Sequence, residues 1–243
     1  MKALCWILCG ILFLVINAAH AADLKKGVQA FQRGDYAAAL AEFKPLAEHG
    51  NIGAQENLAE MYYGGQGVPQ DSVQAATWYR KAAEQGLAQA QFNLGEMYYG
   101  GQGVPQDYAQ AAIWHRKAAE QGLAPAQRRL GFMYEYGQGV PQDYAQALIW
   151  YRNAAEQGEA LAEVNLARMY VLGEGVRTNF VAAYALFNLA SATAGHNQNM
   201  IAGLRAGLMK GMSPVQIEAG QALTRDMQNV GVLKALDAHL ANQ

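Results

Sequence analysis

Five histidines, twenty acidic side chains and two cysteines are the residues of this 243-residue chain with the most scope for chemistry. A hydrolytic or metal-assisted reaction needs several such groups to converge. His20, His49, His115, His196 and His239 have no cysteine, histidine or carboxylate at the spacing of a metal site. No metal and no cofactor is therefore expected. No Gly-x-Ser-x-Gly turn presents a serine nucleophile. Glu84, Glu120 and Glu156 recur in register, which spreads them along the chain as a solvated row rather than gathering them in one site. Gly64-Gly65-Gln66-Gly67 has the glycine content of a phosphate cradle, but such a cradle follows a strand and opens on an anion-friendly helix start. Here a helical pattern precedes the glycines, and Asp71 would repel a phosphate. No catalytic residue is expected.

The glycine loop has another meaning. Tyr62 to Asp71 returns almost unchanged at Tyr98 to Asp107 and Tyr134 to Asp143, and in worn form at Tyr170 to Asn179, each time after 36 residues. A fixed period of this length marks a stack of supersecondary units, each burying its apolar face against its neighbours. Within a unit, helix A runs from about Gly53 to Tyr63. Ala54, Leu58, Met61 and Tyr62 form its apolar stripe, with counterparts from Ala90 to Tyr98, Ala126 to Tyr134 and Ala162 to Tyr170. Gly95 and Gly131 follow the stripe leucine, where a small residue lets a neighbouring helix approach. Gly65 and Gly67 end helix A, and Pro69 blocks its continuation. Asp71, Asp107 and Asp143 read as N-caps of helix B, with Gln74, Gln110 and Gln146 completing capping boxes. Helix B buries Ala75, Trp78, Tyr79, Ala82 and Ala83 and ends at Gly86. Trp78, Trp114 and Trp150 are read as core, and His115 as packing where Tyr79 and Tyr151 stand.

The ends differ. Lys2, the apolar run Ala3 to Ile16 and Ala19-His20-Ala21 have the pattern of a signal peptide cut between Ala21 and Ala22. The run is short for a membrane span of about 20 residues. Cys5 and Cys9 would leave with it, so the mature chain would carry no cysteine and no disulfide. It would then be a periplasmic or secreted protein without membrane insertion. Residues 22–50 read as a degenerate capping repeat, 51–86, 87–122, 123–158 and 159–195 as four repeats, and 196–243 as C-terminal capping helices. Asn197 to Lys210 and Pro214 to Gln228 are the expected helices there. A net charge of −2, or −3 without Lys2, makes no case for nucleic acid or an anionic membrane.

The second copy, Ala90-Gln91-Phe92-Asn93-Leu94-Gly95-Glu96-Met97-Tyr98 through Gly103-Val104 to Trp114 and Gly122, resembles the Sel1-like repeat, a relative of the tetratricopeptide repeat. The resemblance covers about Ala54 to Gly195. It implies an all-α, right-handed superhelical α-solenoid of helix-turn-helix repeats with roughly ten to twelve helices. The family consists mostly of adaptors and scaffolds that bind proteins in signalling, envelope and host-contact settings. One branch is cysteine-rich and disulfide-stapled; a mature chain without cysteine departs from that branch, and enzymatic activities attached to it do not carry over.

Positions that must pack are constrained to recur, so specificity falls to those that do not. By analogy with tetratricopeptide repeats, helix A lines the concave surface. Its variable columns are Glu56, Phe92, Arg128, Val164; then Asn57, Asn93, Arg129, Asn165; then Glu60, Glu96, Phe132, Arg168; then Tyr63, Tyr99, Glu135, Val171. This face runs from acidic and tyrosine-rich to arginine-bearing, with Phe92 and Phe132 as apolar anchors and asparagines for a peptide backbone. The expected function is a non-catalytic scaffold binding protein or peptide. An exported hydrolase acting on envelope material, and a structural spacer or inhibitor, are the alternatives. Partner identity and oligomeric state stay open.

Overall fold

The computed structural model describes residues 23–241. The leader, both cysteines and the Ala21–Ala22 junction lie outside the described residues. Among those described there are thirteen α-helices and no strand. They divide into two compact units between Asp107 and Tyr108.

The first unit holds α1 (residues 23–32), α2 (Tyr36–Glu48), α3 (Ile52–Gly64), α4 (Ser72–Glu84) and α5 (Ala88–Gly100). Gly27 lets α1 lie on α2, since a Cβ there would fall 2.4 Å from the Phe43 ring. Phe43, Leu46, Ala54, Leu58 and Met61 are buried together, and Trp78 packs against them. The second unit holds α6 (Tyr108–Glu120), α7 (Ala124–Tyr136), α8 (Tyr144–Glu156), α9 (Ala160–Leu172), α10 (Phe180–Thr193), α11 (Gln198–Met209), α12 (Pro214–Val230) and α13 (Val232–Ala241). Its core gathers Tyr151, Leu166, Met169, Tyr170, Leu186, Leu223 and Leu236. Helix A is represented by α3, α5, α7 and α9, and helix B by α4, α6, α8 and α10. The chain is an all-α solenoid of helix-turn-helix repeats, as its period implies.

Local chemistry explains the boundaries. Helix A ends on a left-handed glycine at Gly65, Gly101, Gly137 and Gly173, with φ between 66° and 75°. Asp71 Oδ1 accepts from the amides of Val73 and Gln74, and Asp143 and Asn179 cap α8 and α10 in the same way. At Ser213 both arms of a capping box form with Gln216; at Asp71 and Asp143 the arm that forms is the acceptor arm of the cap residue. The close approach expected at the small residue after the stripe leucine occurs at Gly131, whose Cβ would lie 2.8 Å from the Tyr151 ring.

Two features go beyond the sequence reading. The second loop glycine is pressed on the start of a helix 31 residues earlier. A Cβ on Gly103 would lie 2.0 Å from the Ser72 carbonyl oxygen, and one on Gly139 2.0 Å from that of Tyr108. Gly67 and Gly175 stand in the same relation to Tyr36 and Tyr144. The other feature is α13. It follows Gly231 directly and docks on α8, where Glu156 accepts from the Leu233 amide at 2.7 Å and Arg152 pairs with Asp237. Glu84, Glu120 and Glu156 are all exposed as expected, but Glu156 also ties down the end of the chain.

Gly103→Ala and Gly86→Ala separate the contact from backbone strain. Both glycines have positive φ, 69° and 97°, but Gly86 faces open space. Alanine at Gly86 should cost about 1–2 kcal/mol from φ alone. At Gly103 a further ~1–3 kcal/mol of overpacking should appear. Equilibrium urea unfolding measures both, and equal losses would show that the contact is slack.

Candidate functional site

Recurring residues are absorbed by the scaffold. Gln55, Gln91 and Gln127 are buried, and each donates its Nε2 to a carbonyl eight residues back, of Ala47, Ala83 and Ala119, at 3.1–3.2 Å. The glutamine thus satisfies an orphan carbonyl in the last turn of the preceding helix. Gln85 and Gln157 then bond Gln55 and Gln127 at 2.7 and 2.8 Å. Loop glutamines Gln70, Gln106 and Gln142 donate to the carbonyls of Tyr63, Tyr99 and Glu135 at 2.8–2.9 Å. Arg80 and Arg116 bond the hydroxyls of Tyr98 and Tyr134 at 2.7 and 2.6 Å. Trp114 is buried and Trp78 and Trp150 half-buried, with Lys81 and Lys117 over the first two rings at 3.8 and 4.0 Å. His115 is fully buried at the position of Tyr79 and Tyr151.

In the first unit the variable helix A residues surround a cleft of about 370 Å³, lined by Tyr63, Tyr79, Asn93, Glu96, Tyr99 and Gln102 among others. Tyr63 donates its hydroxyl to Gln102 at 3.0 Å. Tyr79 is buried at the base, and its hydroxyl pKa is pushed up, first by burial and then by the carboxylates of Glu60 and Glu56. Glu56 is itself raised by burial and by Glu60. Phe92 is half-buried on α5. Asn57 donates to its own helix at Gly53, 2.7 Å away, and the Asn93 side-chain oxygen accepts from Gln89 at 3.1 Å.

In the second unit the corresponding residues satisfy one another. Arg128 pairs with Glu159 at 2.9 Å, and Glu159 caps α9. Glu135 is buried, with one carboxylate oxygen on Arg168 and the other accepting from Tyr151 at 2.8 Å. Arg168 also lies 5.7 Å from the centroid of Tyr136, whose ring packs on Phe132 at 4.6 Å. Of the arginines expected to make this part of the face positive, Arg128 and Arg168 thus have intramolecular carboxylate partners. Arg129 and Asn165 are half-buried. Val164 and Val171 line an apolar hollow of about 480 Å³ with Leu172, Phe180, Phe187 and Leu204.

The family model of the Sel1 repeat matches residues 52–87, 88–123, 124–159 and 160–192. The chain belongs to the Sel1 repeat family. Among solved structures, the Sel1 repeat protein from Oxalobacter formigenes is similar, with 34% identity over 70% of each chain and a TM-score of 0.66. The protein c5321, described as a protective antigen of uropathogenic Escherichia coli strains, is 32% identical over 86% of this chain, with a TM-score of 0.56. This Sel1 repeat chain spans about half, 55%, of that protein. No curated protein matches it.

One Sel1 repeat residue breaks the glutamine pattern. Glu163 stands where Gln55, Gln91 and Gln127 stand, at 3% exposure, and its Oε2 is buried without a hydrogen-bond partner. Burial, then Glu159, raises its pKa from the ordinary 4.5 to about 8. A neutral acid can donate as the amides do; an ionised one cannot. The folded state holds the proton more tightly, so stability should be full below about pH 4.5 and fall as pH rises to about 8. Glu163→Gln should remove that slope and raise stability at pH 8 by roughly 1–3 kcal/mol. Urea midpoints of both proteins between pH 5 and pH 9 check this; parallel curves would contradict it.

Proposed function

We propose that this chain is a non-catalytic scaffold that binds a protein or peptide on its helix A face. The observation that carries this reading is the division of labour among residues. Recurring side chains are taken up by caps, loop closures and the core, whereas Tyr63, Asn93, Glu96 and Tyr99, from variable columns of helix A, line an open cleft, and Glu60 is exposed on the same helix A columns. A preformed surface of this kind reduces the ordering cost of binding. A scaffold role also fits a family built from repeats, in which neighbouring units supply extended surface.

The leader pattern and the loss of both cysteines with it support a periplasmic or secreted setting. The near-neutral charge gives nucleic acid no electrostatic foothold. No described helix is long and apolar enough to cross a membrane. Among the described residues, no three His, Cys, Asp or Glu side chains are grouped as a metal site would require. That distribution supports binding over metal-assisted hydrolysis.

A photo-crosslinking amino acid at Glu60 or Phe92, in native host cells, should yield a discrete crosslinked protein. The same residue at exposed Thr77 or Ile113 on helix B should not. Crosslinks confined to Thr77 and Ile113 would contradict the reading.

A further inference from the structure

The glycine contact that seats each repeat loop is missing after the fourth repeat. Gly103 and Gly139 press on the first turn of a helix that begins 31 residues earlier. Gly211 stands at the same separation from Phe180, the first residue of α10. A Cβ on Gly211 would nevertheless meet only the nearby Leu208 carbonyl oxygen, at 3.7 Å. The end of α11 is thus not seated on α10 as the repeat loops are seated. A hollow of about 480 Å³ opens there, walled by Val171 and Leu172 of α9, Phe180 and Phe187 of α10, and Leu204 and Leu208 of α11. Val171 and Phe187 stand three periods after Tyr63 and Tyr79, so positions that carry hydroxyls in the first unit are apolar here. The apolar surface continues along α11. Leu172, Met200 and Leu204 are exposed, and nothing lies within 4 Å of where a Cβ would stand on Gly203 or Gly207. Two open glycines one turn apart let another helix approach closely. Across the whole of α11, about 18 Å of helix, the one charged residue is Arg205.

The charge around this surface has one sign. Between Val164 and Ile217 the chain carries four lysine and arginine residues and one carboxylate, Glu174. Arg168 is held by Glu135, and Arg205 bonds the neutral amide of Asn188 at 3.0 Å. Arg177 lies in the loop between Leu172 and Phe180, and Lys210 lies between Leu208 and Gly211. Among the described residues, Arg177, Arg205 and Lys210 pair with no carboxylate. We propose that the hollow between α9, α10 and α11 docks an acidic amphipathic helix of a partner protein, its apolar side chains in the hollow and its carboxylates toward Arg177, Arg205 and Lys210. This rests on the reading of helix A as a protein-binding face and adds the class of segment bound at α9. Charge complementarity selects an acidic segment, since a basic one would meet like charge. The apolar walls and the open glycines of α11 select the apolar face of a helix over an extended polar chain.

The test uses the full mature chain and a fluorescein-labelled helical peptide with leucine along one face and glutamate along the other, in anisotropy titrations at low salt. Companion peptides carry lysine in place of glutamate, or serine in place of leucine. The acidic leucine peptide should bind at least about tenfold more tightly than either companion. Leu172→Gln with Leu204→Gln, both at exposed positions, should weaken it by a similar factor while the helical circular dichroism and melting temperature persist. Arg177→Glu with Lys210→Glu should weaken the acidic peptide and strengthen the lysine peptide. Equal binding of the glutamate and lysine peptides, or unchanged affinity in the double leucine variant, overturns the proposal. Laurate binding as tightly as the peptide, and displacing it, also overturns it, in favour of a small anionic amphiphile. Failure here would leave the crosslinks at Glu60 and Phe92 intact, whereas failure of the scaffold reading would remove them.

Discussion

Contact between a side-chain-free α-carbon and a backbone carbonyl sets the spacing on which the rest of the structure depends. In every repeat the second loop glycine sits against the first turn of a helix that begins 31 residues earlier, as Gly103 does on Ser72 and Gly139 on Tyr108. A β-carbon would hold the two segments apart. The loop is drawn into place by its own hydrogen bonds, from the amides of Asp71, Asp107, Asp143 and Asn179 to tyrosine carbonyls at 2.9 Å. Once loop and helix are seated, the apolar stripes and the buried glutamines of helix A meet the preceding helix in a constant register. Alanines at the helix contacts, such as Ala54, Ala82, Ala126 and Ala154, allow that close packing.

Uniform stacking frees the remaining positions to differ. At the columns of Glu60 and Tyr63, one part of the chain keeps carboxylates and tyrosine rings around a cleft, and another closes the same place with a buried ion pair. A buried pair is not in itself strong evidence of added stability, because desolvation opposes the Coulomb attraction. Its interest lies in the kind of group that this scaffold position accommodates. Glu163 shows the reverse case, where a buried scaffold position carries a titratable residue in place of a glutamine.

Much of the fold was legible because it repeats. The 36-residue period, the paired loop glycines and the capping aspartates locate helices A and B to within a residue or two. What escaped were features without a local signature. Gln55 and its copies look like surface residues by type, and only their recurrence hints at a buried role. Helix α13 starts immediately after Gly231, with neither proline nor a capping side chain to announce it, and is held by Arg152 and Glu156 from far away in sequence. At the candidate site, the columns treat each residue as independent of the others. Nothing in the sequence links Glu135 to Arg168, 33 residues on and in the next repeat. The tyrosine at the cleft base, Tyr79, belongs to a recurring helix B position, and recurrence marks it as core alone.

The central claim is that the scaffold and the binding function reside in separate sets of residues. The most direct measurement replaces Glu56, Glu60, Phe92, Asn93 and Glu96 together by alanine and records both the thermal unfolding midpoint and partner binding. A midpoint within a few degrees of the parent, with binding lost, is the result the account predicts. Binding retained by that variant would contradict it.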